Sequence, residues 1–126
     1  MTQAISDLAQ AFFDAIEKGD IDMVAATYAD DAVIWHNTDR QGSSKAENLK
    51  VLAGFIKAVP TRRYEERRLI ATADGFTQQH LLVAQRADGK RVELPACIVC
   101  AVNGGKITRL DEYFDSAHLA AFTAAG

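Results

Sequence analysis

Residues 62–114 read RRYEERRLIATADGFTQQHLLVAQRADGKRVELPACIVCAVNGGKITRLDEYF, and this stretch decides the fold class of the chain. Three turn signals divide it into four runs of strand-forming residues: Asp74-Gly75, Asp88-Gly89 and Asn103-Gly104-Gly105. We therefore predict four consecutive strands, over Arg62–Ala73, Phe76–Ala87, Lys90–Val102 and Lys106–Phe114. Strands of globular proteins usually have about 5–6 residues, so these long runs indicate a bent, coiled sheet.

The sequence before this stretch begins with an amphipathic helix. Apolar residues recur at helical spacing from Ile5 to Ile16, with polar residues on the opposite side. Gly19 is placed to end this helix, and Asp20 is a suitable N-cap for a second, short one that we predict to end near Asp30-Asp31.

A first strand and a third helix follow. Val33-Ile34-Trp35 is rich in β-branched and aromatic residues and predicts a strand that ends near the polar stretch 38–44. Ser44 followed by Glu47 is a capping box, so the third helix begins there and runs to Pro60. Asp115-Ser116 offers an N-cap to a short C-terminal helix.

Helices followed by hairpin-connected strands predict an α+β fold, with the helices on one face of an antiparallel sheet. The length of 126 residues fits one domain over 1–126. Because the helices carry more apolar surface than a flat sheet would cover, we expect the sheet to curl around them. We also expect a cavity at its open end, where small ligands commonly bind.

Composition excludes several classes of function. The net charge of −3 gives no reason to expect nucleic-acid or membrane binding. The N-terminus carries neither a basic stretch nor a long apolar run, so we expect no signal peptide or membrane span and a cytoplasmic protein. The two cysteines, Cys97 and Cys100, agree with a reducing compartment. Their spacing puts them on opposite faces of one strand, so we interpret them as small apolar residues.

Two stretches resemble a known superfamily. Residues 12–36, FFDAIEKGDIDMVAATYADDAVIWH, resemble the N-terminal half of nuclear-transport-factor-2-like proteins in their helix, Gly-Asp turn, second helix and Asp-Asp-Ala start of the strand. Residues 88–115, DGKRVELPACIVCAVNGGKITRLDEYFD, resemble the C-terminal half of SnoaL-like proteins and of limonene-epoxide hydrolase. The chain thus resembles the SnoaL-like and ketosteroid-isomerase-like families.

That resemblance implies a cone-shaped fold. In it a strongly curved, mixed or antiparallel sheet packs on three helices from the N-terminal half, with a short C-terminal helix added. Such proteins are usually dimeric, and their pocket serves isomerisation, cyclisation, epoxide opening, dehydration or simple binding. Since one fold hosts several chemistries, function depends on the pocket residues.

The resemblance also suggests where chemistry would lie. His36 falls where ketosteroid isomerases carry an aspartate base and epoxide hydrolases an asparagine that positions water. Phe12 replaces the tyrosine of the isomerase oxyanion hole, and its partner acid falls at or beside Cys97 and Ile98. Glu112 aligns with the catalytic aspartate of the last strand in epoxide hydrolases, whose middle-strand arginine and aspartate fall near residues 80–83. Both classical residue sets are therefore incomplete.

His36 is our candidate for proton transfer, because histidine titrates near neutral pH. If Ile34 and His36 face the pocket, alternation turns Trp35 and Asn37 outward, towards a partner subunit, and a one-residue bulge would reverse this. The alternative is a structural, hydrogen-bonded histidine.

Glu112 shares a face with Leu110 and Phe114, so partial burial would raise the pKa of its carboxyl and let it act as an acid or orient His36. The alternative is an exposed charge at an edge. His80 shares a face with Gln78 and Leu82, and could complete a three-ligand metal set with His36 and Glu112. No close-spaced ligand motif supports a metal, and we expect none.

These arguments predict a cofactor-independent enzyme of isomerase, cyclase or hydrolase type, acting on a small hydrophobic or cyclic substrate. The alternative is a non-catalytic ligand-binding or dimerisation module, and a homodimer is expected in either case. The predicted catalytic residues are His36 and Glu112. The predicted substrate-binding residues are Phe12, Tyr28, Ile34, Trp35, Asn37, Phe55, His80, Ile98, Leu110 and Phe114.

Overall fold

The computed structural model describes the backbone of residues 2–123 and the side chains of residues 2–120. The ends of the predicted domain, residue 1 and residues 124–126, lie outside the described residues. Helices and strands follow in the order α1 (Thr2–Lys18), α2 (Ile21–Thr27), β1 (Tyr28–His36), β2 (Gln41–Ser44), α3 (Lys45–Ala58), β3 (Thr61–Thr72), β4 (Gly75–Gln85), β5 (Arg91–Asn103), β6 (Lys106–Phe114) and α4 (Ser116–Thr123).

The strands form one curved, mixed sheet in the order β2-β1-β6-β5-β4-β3. Strands β3 to β6 form the predicted antiparallel meander, and β1 pairs with β6 in parallel. The sheet does not close, since β2 and β3 are its edges. The α+β class is thus confirmed, with three helices in the N-terminal half and one short helix at the C-terminus.

Local signals set the helix boundaries as predicted. Gly19 ends α1 with a φ of 76°, a left-handed conformation that glycine adopts without steric cost. The carboxylate of Asp20 accepts the backbone N–H of Met23 and caps α2. At α3, Ser44 and Glu47 form the reciprocal capping box, with side-chain to backbone distances of 3.2 and 2.9 Å.

Two boundaries differ from the prediction. Helix α2 ends at Thr27 rather than near residue 30, and Tyr28 already pairs with Ile107 of β6. Residues 41–44 form the edge strand β2, where no strand was predicted. This strand is short and polar, so it lacks the apolar alternation by which a strand is recognised in sequence.

The core lies between α1 and the concave face of the sheet. Phe12 and Phe13 of α1 are fully buried and contact each other edge to face, with ring centroids 5.2 Å apart. A row of sheet residues faces them, and its members pair across four strands: Phe76, Cys100, Leu110 and Ile34. Burying each large apolar side chain stabilises the fold by roughly 1.5–3 kcal/mol, so this layer holds α1 on the sheet.

Arg62 is a buried cation that ties two helices to the sheet. Its guanidinium donates to the carbonyls of Ile16 and Glu17 at the end of α1, and to those of Ile56 and Val59 around the end of α3. The last carbonyls of a helix have no partner within it and carry partial negative charge. One side chain therefore satisfies both helix ends.

A β-bulge interrupts β3 between Glu65 and Arg68. Glu66 adopts a φ of 55°, and the extra residue directs Arg67 towards α1, where it pairs with Asp14 at 2.9 Å and Glu17 at 3.2 Å. The bulge therefore places Arg67 next to the core, with its charge balanced by the two carboxylates of α1.

Candidate active site at the end of strands β1 and β6

The parallel pairing of β1 with β6 brings His36 and Glu112 side by side. The two residues are register partners, and the Nε2 atom of His36 lies 3.1 Å from Oε1 of Glu112. The side chains are 28% and 20% exposed, so both are partly withdrawn from solvent yet accessible. Residues 76 positions apart thus form one hydrogen-bonded pair.

This contact changes the protonation of the histidine. The hydrogen bond that His36 donates to Glu112 raises the pKa of His36 above its usual value, against the opposing effect of burial, and the negative charges of Glu112 and Asp39 add to the rise. His36 therefore holds a proton more firmly than a free histidine does.

Several buried polar groups lie within reach of the Glu112 charge. Burial raises the pKa values of the Tyr28 and Tyr64 phenols, and the charge of Glu112 raises both further. Both phenols therefore stay protonated at neutral pH. Burial lowers the pKa of His80 to about 4, with Arg67 adding to the effect and Glu112 opposing it. His80 is thus a neutral imidazole.

His80 is held by neighbours on three sides. Its ring lies edge to face against Tyr64 at 4.5 Å and Phe13 at 5.5 Å between centroids. Its Nδ1 atom lies 2.9 Å from the amide nitrogen of Gln78. Its Nε2 atom is buried and has no hydrogen-bond partner among the described residues.

Gln78 and Tyr64 were not among the predicted site residues. Gln78 is almost completely buried. The only sequence feature that could have indicated a role at the site is its position two residues before His80, on the same face of the strand. Tyr64 reads in sequence as an ordinary core aromatic. Its position beside His80 follows from the pairing of Tyr64 with Leu82 across β3 and β4, which the sequence does not specify.

Five of the ten predicted ligand-binding residues belong to the core. Four of them are buried with at most 4% exposure: Phe12, Ile34, Ile98 and Leu110. Tyr28 belongs to the same cluster, and its hydroxyl donates to Asn48 at 3.1 Å. Phe114 lies next to the acid–base pair, with its ring centroid 6.1 Å from that of His36.

Three predicted residues lie apart from this group. Trp35 is on the opposite face of the sheet, 5.3 Å from Tyr113 between ring centroids. Asn37 bonds both backbone groups of Phe114, at 3.0 and 3.1 Å, and so fastens β1 to the end of β6. Phe55 packs on a separate cluster around Val59.

The concavities described for the structure do not include the acid–base pair. One of them, about 830 Å³, is lined by a row that pairs across β3 to β6 on the face opposite Glu112, Arg68, Gln79, Cys97 and Tyr113, and also by His80 and Ala96, which lie on the Glu112 face. Two others, of about 320 and 570 Å³, lie at the far end of the sheet.

A sequence profile of the family described as the SnoaL-like domain matches residues 9–110. The chain belongs to the SnoaL-like family. No curated protein matches it.

Solved structures share the SnoaL-like fold along nearly the whole chain. A candidate polyketide cyclase from Xanthomonas campestris superposes with a TM-score of 0.85 at 19% identity, covering 98% of both chains. An LEH-like epoxide hydrolase from M. tuberculosis gives 0.78 at 24% identity, over 96% of this chain and 89% of that one. AclR, a candidate hydroxylase from Streptomyces galilaeus, gives 0.86 at 17% identity, over 96% and 81%. At such identities the likeness establishes the fold alone.

Two further observations concern the described residues of this SnoaL-like chain. No group of three or more His, Cys, Asp or Glu side chains among them converges as metal ligands would, so His36, His80 and Glu112 do not form the metal set considered above. No helix among them has the length and apolar character needed to cross a bilayer.

Proposed function

We propose that this SnoaL-like protein is a cofactor-independent enzyme that transfers a proton on a small hydrophobic or cyclic carbonyl compound. His36 is the proton acceptor and donor, and Glu112 assists it. The contact of 3.1 Å between Nε2 and Oε1 carries the proposal. Proton transfer of this kind uses side chains only and requires no cofactor.

The geometry supports a division of roles within the pair. A carboxylate that accepts the Nε2–H of a neutral imidazole leaves the lone pair of Nδ1 to take a proton. Glu112 raises the pKa of His36, so the imidazolium that forms after proton abstraction is stabilised. The same histidine can then return the proton to another carbon, as an isomerisation requires.

The surroundings favour an apolar substrate. Glu112 is flanked along β6 by Leu110 and Phe114, and Ile98 lies opposite it on β5. Phe114 is only partly buried and offers apolar contact area beside the acid–base pair, while Leu110 and Ile98 form the buried apolar floor beneath it, which is the usual composition of small-molecule sites. Phe12 and Ile98 lack the donors of a classical steroid isomerase, so that reaction is not proposed.

The test is proton exchange at carbon. Wild-type protein is incubated in D₂O with a panel of cyclic ketones and enones, and deuterium incorporation is followed by NMR. We expect exchange with the wild type and a loss of about 100-fold or more in His36→Ala, since general acid–base groups contribute typically 10²–10⁴-fold. Glu112→Gln should retain the fold and lose part of the rate.

The matched control is His118→Ala, because His118 is an exposed histidine on α4. Circular dichroism and thermal unfolding establish that each variant is folded. Undiminished exchange by folded His36→Ala would remove this residue from the mechanism.

A second function, a non-catalytic ligand-binding or dimerisation module, is favoured by the burial of five predicted ligand-binding residues in the core and by the opposite sheet face. That face carries the contact of Trp35 with Tyr113 and the half-exposed side chains of Val99 and Tyr113. We therefore propose that two copies of the chain associate through this face as a homodimer. Light scattering that finds a monomer at high concentration would contradict the homodimer.

The ligand-binding alternative has its own test: mass spectrometry of the purified protein would reveal a retained ligand.

A further inference from the structure

We propose that His80 is the hydrogen-bond donor of this site: its Nε2–H binds the oxygen of a carbonyl compound, or of the enolate or phenolate that resembles the reacting state. This inference rests on the proposed function, from which it takes the class of substrate, a small carbonyl compound. His80 supplies the hydrogen-bond donor that the sequence lacks at Phe12 and Ile98. It lies on β4, which pairs with β5 on the side away from β6.

The tautomer follows from the contact with Gln78. The amide nitrogen of Gln78 can only donate, so the Nδ1 atom 2.9 Å away must accept. A neutral imidazole with an accepting Nδ1 carries its proton on Nε2. His80 is therefore fixed as an Nε2–H donor, and Gln78 is the positioning residue.

The orphaned donor needs an explanation. His80 is only 5% exposed, and its Nε2 has no partner among the described residues. Leaving a buried donor unsatisfied costs about 1–3 kcal/mol, and native structures rarely tolerate this without a reason. The ring cannot readily turn to find a partner, because Tyr64 and Phe13 hold it from two sides. A ligand oxygen would satisfy this donor.

The concavity of about 830 Å³ extends to His80 and Ala96, which gives such a ligand a place to bind. Ala96 lies opposite His80 on β5, and Phe114 follows on β6, so a methyl group separates the imidazole from the aromatic ring beside His36. Strands are about 4.8 Å apart, which places the Cα atoms of His80 and Phe114 roughly 10 Å apart. A small cyclic compound above Ala96 would present its oxygen to His80 and a carbon to His36.

The proposed step balances as follows. His36 takes a proton from the carbon next to the carbonyl, and the C–H electron pair forms a carbon–carbon double bond. The carbonyl π electrons move to oxygen, where the Nε2–H of His80 stabilises the negative charge. Return of the proton from His36 to the same carbon restores the ketone. In a β,γ-unsaturated ketone, return to the γ-carbon shifts the double bond and restores the carbonyl, and both histidines end as they began. A donor aimed at developing charge is the usual source of such stabilisation.

The first test reads the tautomer directly. NMR of the imidazole nitrogens in wild-type protein should show His80 neutral at pH 6, with the proton on Nε2. In Gln78→Leu the Nδ1 acceptor loses its partner, and the tautomers should mix. A proton on Nδ1 in the wild type would overturn the inference.

The second test uses 4-nitrophenolate as a probe of the reacting oxyanion, with binding measured by calorimetry. We expect saturable binding that shifts the His80 Nε2–H resonance, and a loss of about 10- to 100-fold in His80→Phe, as for one hydrogen bond to a charged group. His118→Phe is the matched control and should bind as the wild type does. Wild-type affinity in His80→Phe, or no saturable binding to the folded wild type, would refute the proposal.

A double variant separates this role from a structural one. Gln78→Leu with His80→Phe removes both polar groups together, so it leaves neither unsatisfied, and it should be as stable as the wild type while failing to bind the probe. Failure of the proposed function is distinguishable: if His36→Ala exchanges deuterium normally while probe binding still depends on His80, the donor assignment stands and the role of His36 does not.

Discussion

Replacing Arg62 with Met should destabilise the protein more than any change of a surface charge. Methionine keeps most of the buried aliphatic stem and removes only the guanidinium, which donates four hydrogen bonds to carbonyls at 2.6–3.2 Å. Each carbonyl left without a partner costs about 1 kcal/mol or more. We therefore expect the free energy of unfolding to fall by about 3–5 kcal/mol, and the midpoint of thermal unfolding to fall by roughly 10–20 °C.

The assay is urea unfolding followed by circular dichroism, with thermal unfolding as a second measurement. Arg63→Met is the matched control on the adjacent residue: the Arg63 side chain is 57% exposed and pairs with Glu65 on its own strand. We expect that control to change stability by less than about 0.5 kcal/mol. A loss below about 1 kcal/mol in Arg62→Met would refute the idea that one side chain holds the ends of α1 and α3.

Three further predictions concern backbone contacts and titration. Gly75→Ala should cost about 1–3 kcal/mol in urea unfolding, because its Cβ would lie 2.2 Å from a backbone oxygen of β5, whereas Gly54→Ala, which meets nothing within 4 Å in α3, should stabilise by about 0.5–1 kcal/mol; equal effects would contradict this. NMR titration should place the pKa of His36 above 6.5 in wild-type protein and lower it in Glu112→Gln; an unchanged value would show that the pair is not coupled. Because burial lowers the pKa of His80 to about 4, the fold should be unaffected by this group above pH 6.5 and should lose on the order of 3 kcal/mol of stability as pH falls from 6.5 to 4; acid unfolding of His80→Phe without a smaller pH dependence would contradict it.

The two histidines make stability depend on pH in opposite directions. The raised pKa of His36 means that its contribution is fully present below pH 6.5 and is lost as pH rises through the folded value. The lowered pKa of His80 has the reverse effect. The free energy of unfolding measured against pH in His36→Ala and in His80→Phe therefore gives the contribution of each histidine separately.

The sequence determined the features that depend on neighbouring residues. The turn signals at residues 74–75, 88–89 and 103–105 delimit the strands of the meander, and Gly19 and the Ser44 capping box set the boundaries of helices. Local conformational preference and short-range hydrogen bonds suffice to fix such positions. The resemblance to the family, together with alternation along the strands, brought His36 and Glu112 forward as candidates.

The tertiary structure decided everything that depends on pairing between distant segments. The parallel register of β1 with β6 places His36 against Glu112, and the polar edge strand β2 exists only because β1 offers it a partner. The core position of five predicted ligand-binding residues, the concavity that reaches His80, and the burial of Arg62 between two helix ends follow from packing. A cation that bonds only backbone carbonyls leaves no signal in the sequence, because every residue carries a carbonyl and only the folded chain selects which ones it meets.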